Sequence, residues 1–148
     1  MYDGEETYGG EEFILDTSDF NADSFEPELL AEGQETEVRV VSARAQPKKD
    51  GQGFVLAMRL EVVGNPRVDD IYTYSRLPDA AQKAENLKGW NKGVKALQRL
   101  AACFDVDMES GQLNFRSFEG QTGWILARVE DDPTYGKKNV VREFVVAM

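Results

Sequence analysis

Tyr72, Tyr74 and Arg76 alternate along one extended segment, which puts two flat rings and a cation on the same side of the chain. Two lysine pairs, Lys48-Lys49 and Lys137-Lys138, sit in turn-like stretches that carry Gly51, Gly53 and Gly136, and Tyr135 precedes the second pair. Aromatic rings of this kind accept unpaired bases of any sequence, at about 1–3 kcal/mol per stacked base. Lysine and arginine neutralise a phosphate backbone and release its counterions. Together they could recognise a polyanion that carries planar groups. Each also has a plainer use: strand tyrosines pack half-buried on sheets, and lysine pairs in turns are usually just solvated.

Catalytic chemistry finds little to work with. The chain has no histidine, so the usual base of serine and cysteine hydrolases is missing. Its one cysteine, Cys103, follows two alanines in a helical pattern and reads as a small buried hydrophobe. One Cys without His cannot build a zinc site, and an intrachain disulfide is impossible. Asp105 and Asp107 resemble the start of a calcium loop, but Ser110 stands where its glycine belongs and Arg116 where its closing glutamate belongs. Gly51-Gln-Gly53 lacks the third glycine and following helix of a dinucleotide fingerprint, and no phosphate-binding loop occurs. The pattern predicts a protein that is not an enzyme and needs neither metal nor cofactor.

The elements that must position these residues are mostly strands. Glu37–Gln46, Phe54–Val63 and Asp70–Leu77 form the first three, separated by Pro47–Gly53 and Gly64-Asn65-Pro66. In the second strand Phe54, Leu56, Met58, Leu60 and Val62 share a face, opposite Arg59 and Glu61. Residues 79–104 read as a helix with an apolar stripe of Trp90, Val94, Leu97, Ala101 and Phe104; Gly89 and Gly93 weaken its middle, so the alternative is a loose segment followed by a firm helix from about Trp90. Lys88, Lys92, Lys95 and Arg99 line its opposite, basic side. Thr122–Glu130 and Asn139–Ala147 complete the set, joined by a long loop of residues 131–138. Trp124 is expected in the core. The order β-β-β-α-β-β is that of a mainly β, five-stranded OB-fold-like barrel, favoured here over an open meander packed by one helix. Such a barrel binds ligand across its second and third strands, between the first hairpin loop and the loop joining strands four and five. Lys48, Lys49, Phe54, Tyr72, Tyr74, Arg76, Tyr135, Lys137 and Lys138 are therefore the candidate nucleic-acid-binding residues, with Phe54 the outlier because its face is otherwise apolar.

The 148 residues suit one such domain, and the charge is unevenly placed. Residues 1–36 hold 12 acids and no base, leaving 15 acids against all 17 bases in the remainder. The net charge of −10 thus describes an acidic segment joined to a slightly basic body. The division predicted is a flexible acidic segment, residues 1–34, whose Phe and Leu residues could dock on the body or a partner, and a binding domain, residues 35–148. With no signal peptide and no apolar run of about 20 residues, the expectation is a cytoplasmic protein without membrane contact.

Three features carry a family resemblance. They are the hairpin Lys48-Lys49-Asp-Gly-Gln-Gly-Phe54 leading into Leu56–Gly64, the segment Lys88-Gly-Trp90-Asn-Lys-Gly-Val94, and Phe118-Glu-Gly120-Gln before the fourth strand. Over residues 35–147 the chain resembles the OB-fold single-stranded DNA-binding proteins encoded by bacteriophages. The resemblance implies sequence-tolerant coating of single strands during replication or recombination, in the host cytoplasm. Many members recruit a polymerase or recombinase through an acidic C-terminal tail. Here Phe144-Val-Val-Ala-Met148 reads as a strand end, and residues 1–34 are the candidate for that role. The rival expectation is a protein-interaction or virion structural β-barrel module that binds no nucleic acid. An acidic DNA mimic is disfavoured, because the acids cluster outside the expected fold. Oligomeric state stays open.

Overall fold

The computed structural model describes residues 12–20, 27–108, 110–134 and 136–146. The acidic residues 1–11, together with Tyr135 and Ala147, lie outside that set. Five antiparallel strands, β1 Glu35–Pro47, β2 Phe54–Val62, β3 Ile71–Arg76, β4 Thr122–Asp132 and β5 Gly136–Val145, make one sheet in the order β3-β2-β1-β4-β5. Between β3 and β4 run two helices, α1 Ala80–Glu85 and α2 Leu87–Cys103, and a 3₁₀ turn at Phe115–Phe118. The edge strands β3 and β5 approach each other without sharing a ladder, so the sheet curls but stays open. The closed barrel of the sequence reading is coarser in fact: a mainly β fold with an open seam.

Alternation explains the core. Leu56, Met58 and Leu60 of β2 and Ile125 and Ala127 of β4 point inward and are buried. In β1 the inward set changes phase, from Val38 and Val40 to Ala43, because Val41 is an extra residue between the pairs Val40–Leu60 and Ser42–Arg59. The end of α2 plugs the curl: Phe104 is fully buried and meets Phe118 and Phe144 edge-on, at ring-centroid distances of 6.3 and 5.9 Å. Gly123 on β4 permits that seating. A Cβ there would lie 2.7 Å from the Cys103 carbonyl oxygen and 2.9 Å from the Phe104 ring.

Four expectations are corrected. The single helix over 79–104 is broken at Asn86, whose side chain accepts the Gly89 amide and caps α2. The long loop of residues 131–138 shrinks to 133–135, because β4 and β5 continue through the opposite-charge pairs Glu130–Lys138 and Asp131–Lys137. Trp124 is 47% exposed: its inward neighbours on β4 are Gly123 and Ile125, so alternation turns the indole out. Residues 27–34, expected within a flexible segment, are packed as a strap across the seam. Leu30 is buried, and its amide and carbonyl both pair with the Asn139 side chain. Glu28 bridges to Val68 beside β3, while Gly33 and Gln34 bond Ala127 on β4.

Two substitutions test this packing. Gly123→Ala should destabilise the fold by about 1–3 kcal/mol through overpacking, because the obstacle is backbone and cannot swing away. Leu30→Ala should cost about 2–5 kcal/mol if the strap belongs to the cooperative unit. Urea unfolding midpoints measure both, and a wild-type midpoint for Leu30→Ala would remove the strap from the fold.

Candidate nucleic-acid interface

Sheet register assembles an outward face on β1, β2 and β3. Cross-strand rows run Ser42–Arg59–Tyr72, Arg44–Ala57–Tyr74 and Gln46–Val55–Arg76. Tyr72 and Tyr74 are 55% and 61% exposed. Two residues apart on a strand, they stand about 6.7 Å from each other, enough for each ring to take its own planar ligand group. Ala57 keeps the centre of the face low between Arg44 and Tyr74. A shallow hollow of about 260 Å³ runs over Ser42, Arg44, Gln46, Ala57, Arg59 and the two tyrosines.

Three arginines supply its charge. Arg44 makes no ion pair among the described residues, whereas Arg59 Nε donates to Asp70 Oδ2 at 2.6 Å. That contact, more than any other, raises the guanidinium pKa, with the neighbouring Tyr72 adding a smaller effect. Arg76 lies at the hairpin end of β3, where Leu77 donates its amide to the Phe54 carbonyl. Asp50 of that hairpin is held below the usual carboxylate range, first by the Gln52 amide and then by the Lys48 and Arg76 cations. Lys48 is 3.4 Å from Asp50, and Lys49 is exposed beside it. The first lysine pair therefore flanks the tyrosine face.

Lys137 and Lys138 approach from the other side. They share a groove of about 620 Å³ with Tyr72 and Tyr74, between the two edge strands and over the strap. Glu28, Asp69, Asp70 and Glu130 also line it, so acids outnumber bases there. Lys138 is already 3.4 Å from Asp132. A polyanion is thus favoured on the open face and disfavoured within the groove, whose lysines serve its rim. Phe54 does not join the set. It is 52% exposed but points to the opposite side of β2, into a hollow with Leu77, Pro78 and Ala80. Tyr135 lies outside the described residues.

The sequence reading missed Arg44 and did not use Arg59. Alternation had placed Arg59 on the polar side of β2, but only the ladder shows Tyr72 beside it. Arg44 has no local signal, because its outward direction depends on the extra residue at Val41. Among the described residues, no group of three or more His, Cys, Asp or Glu side chains is placed to hold a metal ion. Among the same residues, no helix is long and apolar enough to cross a membrane.

Cys103 is half-buried, its thiol 3.4 Å from the Trp124 carbonyl oxygen, to which it can donate. Burial, the largest influence, pushes its pKa up. The folded state therefore favours the neutral thiol. This stabilisation is complete below the unfolded thiol's pKa of about 8.5 and is lost as pH rises through the higher folded value. Iodoacetamide should consequently alkylate Cys103 more slowly in the native protein than in urea at pH 8, as followed by intact mass, and equal rates would show an open, unshifted thiol. No protein-family model matches the chain, and comparison with curated proteins finds no match.

Proposed function

We propose that this protein binds single-stranded DNA with little sequence preference, without catalysis, on the outward face of β1, β2 and β3. The observation that carries the reading is the convergence of two exposed tyrosines with Arg44, Arg59 and Arg76 on one open sheet face. Unpaired bases would stack on Tyr72 and Tyr74 while the arginines meet phosphates, with Lys48 and Lys49 at one end and Lys137 and Lys138 at the other. A shallow open face that offers flat rings and cations and has no deep pocket suits sequence tolerance. Duplex DNA, whose bases are stacked inside, offers these rings nothing.

The strand order and the approach of β3 to β5 suit an OB-fold whose last seam is covered rather than hydrogen-bonded. A role in phage-type replication or recombination follows from the sequence resemblance. In that setting the acidic residues ahead of the strap would contact a replication or recombination protein. Phe13, Ile14, Leu15 and Phe20, exposed among acids, supply apolar anchors for such a contact.

Fluorescence anisotropy of labelled oligo-dT at two salt concentrations tests the reading. Three arginine–phosphate contacts should give a log–log salt slope of about −2, at about −0.7 per contact on a single strand. Tyr72→Ala combined with Tyr74→Ala should weaken binding by about 1–3 kcal/mol per lost stack while leaving the melting temperature in place, since both rings are exposed. No binding at low salt would overturn the proposal and favour a protein-interaction module. Normal binding by the double variant would move the site elsewhere.

A further inference from the structure

A second surface lies on the outward side of β4 and β5, away from the tyrosine face. Its rows are Glu35–Leu126–Glu143 and Glu37–Trp124–Val145. Trp124 is 47% exposed, with Leu126 and Val145 partly exposed beside it. An open indole flanked by two aliphatic side chains and rimmed by three carboxylates is shaped for an apolar contact bearing positive charge.

The same molecule carries the complement. Lys88, Lys92 and Lys95 are all exposed on one side of α2, in line with Arg99, and no residue of this 17-residue helix is acidic. Among the described residues none of the three lysines makes an ion pair. Arg99 shows how such a cation meets the rim: its Nη2 lies 3.1 Å from Glu143 Oε2, and its Nε donates to the Phe144 carbonyl at 2.8 Å. Cys103 lies next to the Trp124 carbonyl. These contacts tie the end of α2 to the strands, so stripe and patch are neighbours on one copy.

We propose that the protein forms a two-fold dimer in which the lysine stripe of α2 from each copy lies on the Trp124 patch of the other. Neighbouring, oppositely charged surfaces suit two-fold closure, because one rotation satisfies both contacts at once. Trp124 is the central anchor, and the carboxylate–lysine pairs set the orientation. The tyrosine face stays uncovered, so this inference does not rest on the proposed DNA binding. The other possible occupants of the stripe, the chain's own acidic N-terminal residues or a nucleic acid, would leave a monomer in the absence of DNA.

Sedimentation velocity of the full chain without nucleic acid, at low salt, decides between them. The wild type should sediment as a dimer that dissociates as salt rises. Lys88→Glu with Lys92→Glu and Lys95→Glu should give a monomer, and so should Glu35→Lys with Glu37→Lys. Mixing these two variants should restore a dimer, because the reversed stripe of one then meets the reversed patch of the other while the two unaltered surfaces meet in the second contact. Circular dichroism melts of both variants check that they remain folded. A monomeric wild type, a dimer surviving in either variant, or a mixture that stays monomeric would overturn the proposal. Loss of oligo-dT binding in the tyrosine variant would leave the dimer unchanged.

Discussion

A sheet with two unpaired edges that curl toward each other must cover the gap with something other than a ladder, and the rest of this structure depends on how it does so. Buried backbone groups need partners, and exposed edges invite pairing with other chains. Here the seam between β3 and β5 is crossed by the strap at residues 27–34. Leu30 fills the gap, while Asn139 satisfies the strap's backbone. From inside, Phe104 supplies bulk where the strands diverge. The strap residues Pro27, Glu28 and Leu29 thereby line the groove between the tyrosines on β3 and the lysines on β5.

Electrostatics then divides the surface. The seam groove keeps its acids, several of them engaged: Glu28 with Arg67, Asp70 with Arg59 and Glu130 with Arg128. The open face keeps its arginines. Such exposed pairs contribute little to stability, in general about 0–1 kcal/mol each, so their main effect is on which cations remain accessible. Arg59 is held in place by Asp70 next to Tyr72, whereas Arg44 makes no ion pair among the described residues. A phosphate arriving at Arg59 would have to displace or share a carboxylate, while one arriving at Arg44 would not.

Strand existence and the helix position were legible because alternation and turn residues are local signals. Leu56, Met58 and Leu60 behave as their spacing predicts. Tyr72, Tyr74 and Arg76 share an outward face for the same reason. What stayed hidden was relational. Lys137 and Lys138 looked like loop because their strand partners, Asp131 and Glu130, are charged too. Leu30 looked like tail because its partner Asn139 is 109 residues away. Trp124 looked like core because size argued for burial, yet the inward place beside it was already taken by the backbone of α2 pressing on Gly123. Phe54 failed through its phase, which belongs to the apolar side of β2.

The extra residue at Val41 has a consequence for how this chain tolerates change in length. Ahead of it the outward positions of β1 are Glu35, Glu37 and Arg39; beyond it they are Ser42, Arg44 and Gln46. One inserted residue thus marks the border between a carboxylate-bearing patch and a guanidinium-bearing one on the same strand. Deleting it would leave plain alternation, with Val40 inward, Ser42 outward, Ala43 inward and Arg44 outward, so both patches would keep their side of the strand. Deletions in the hairpin that follows would alter a turn, whereas a deletion at position 41 would straighten the strand and keep the side that each remaining residue faces.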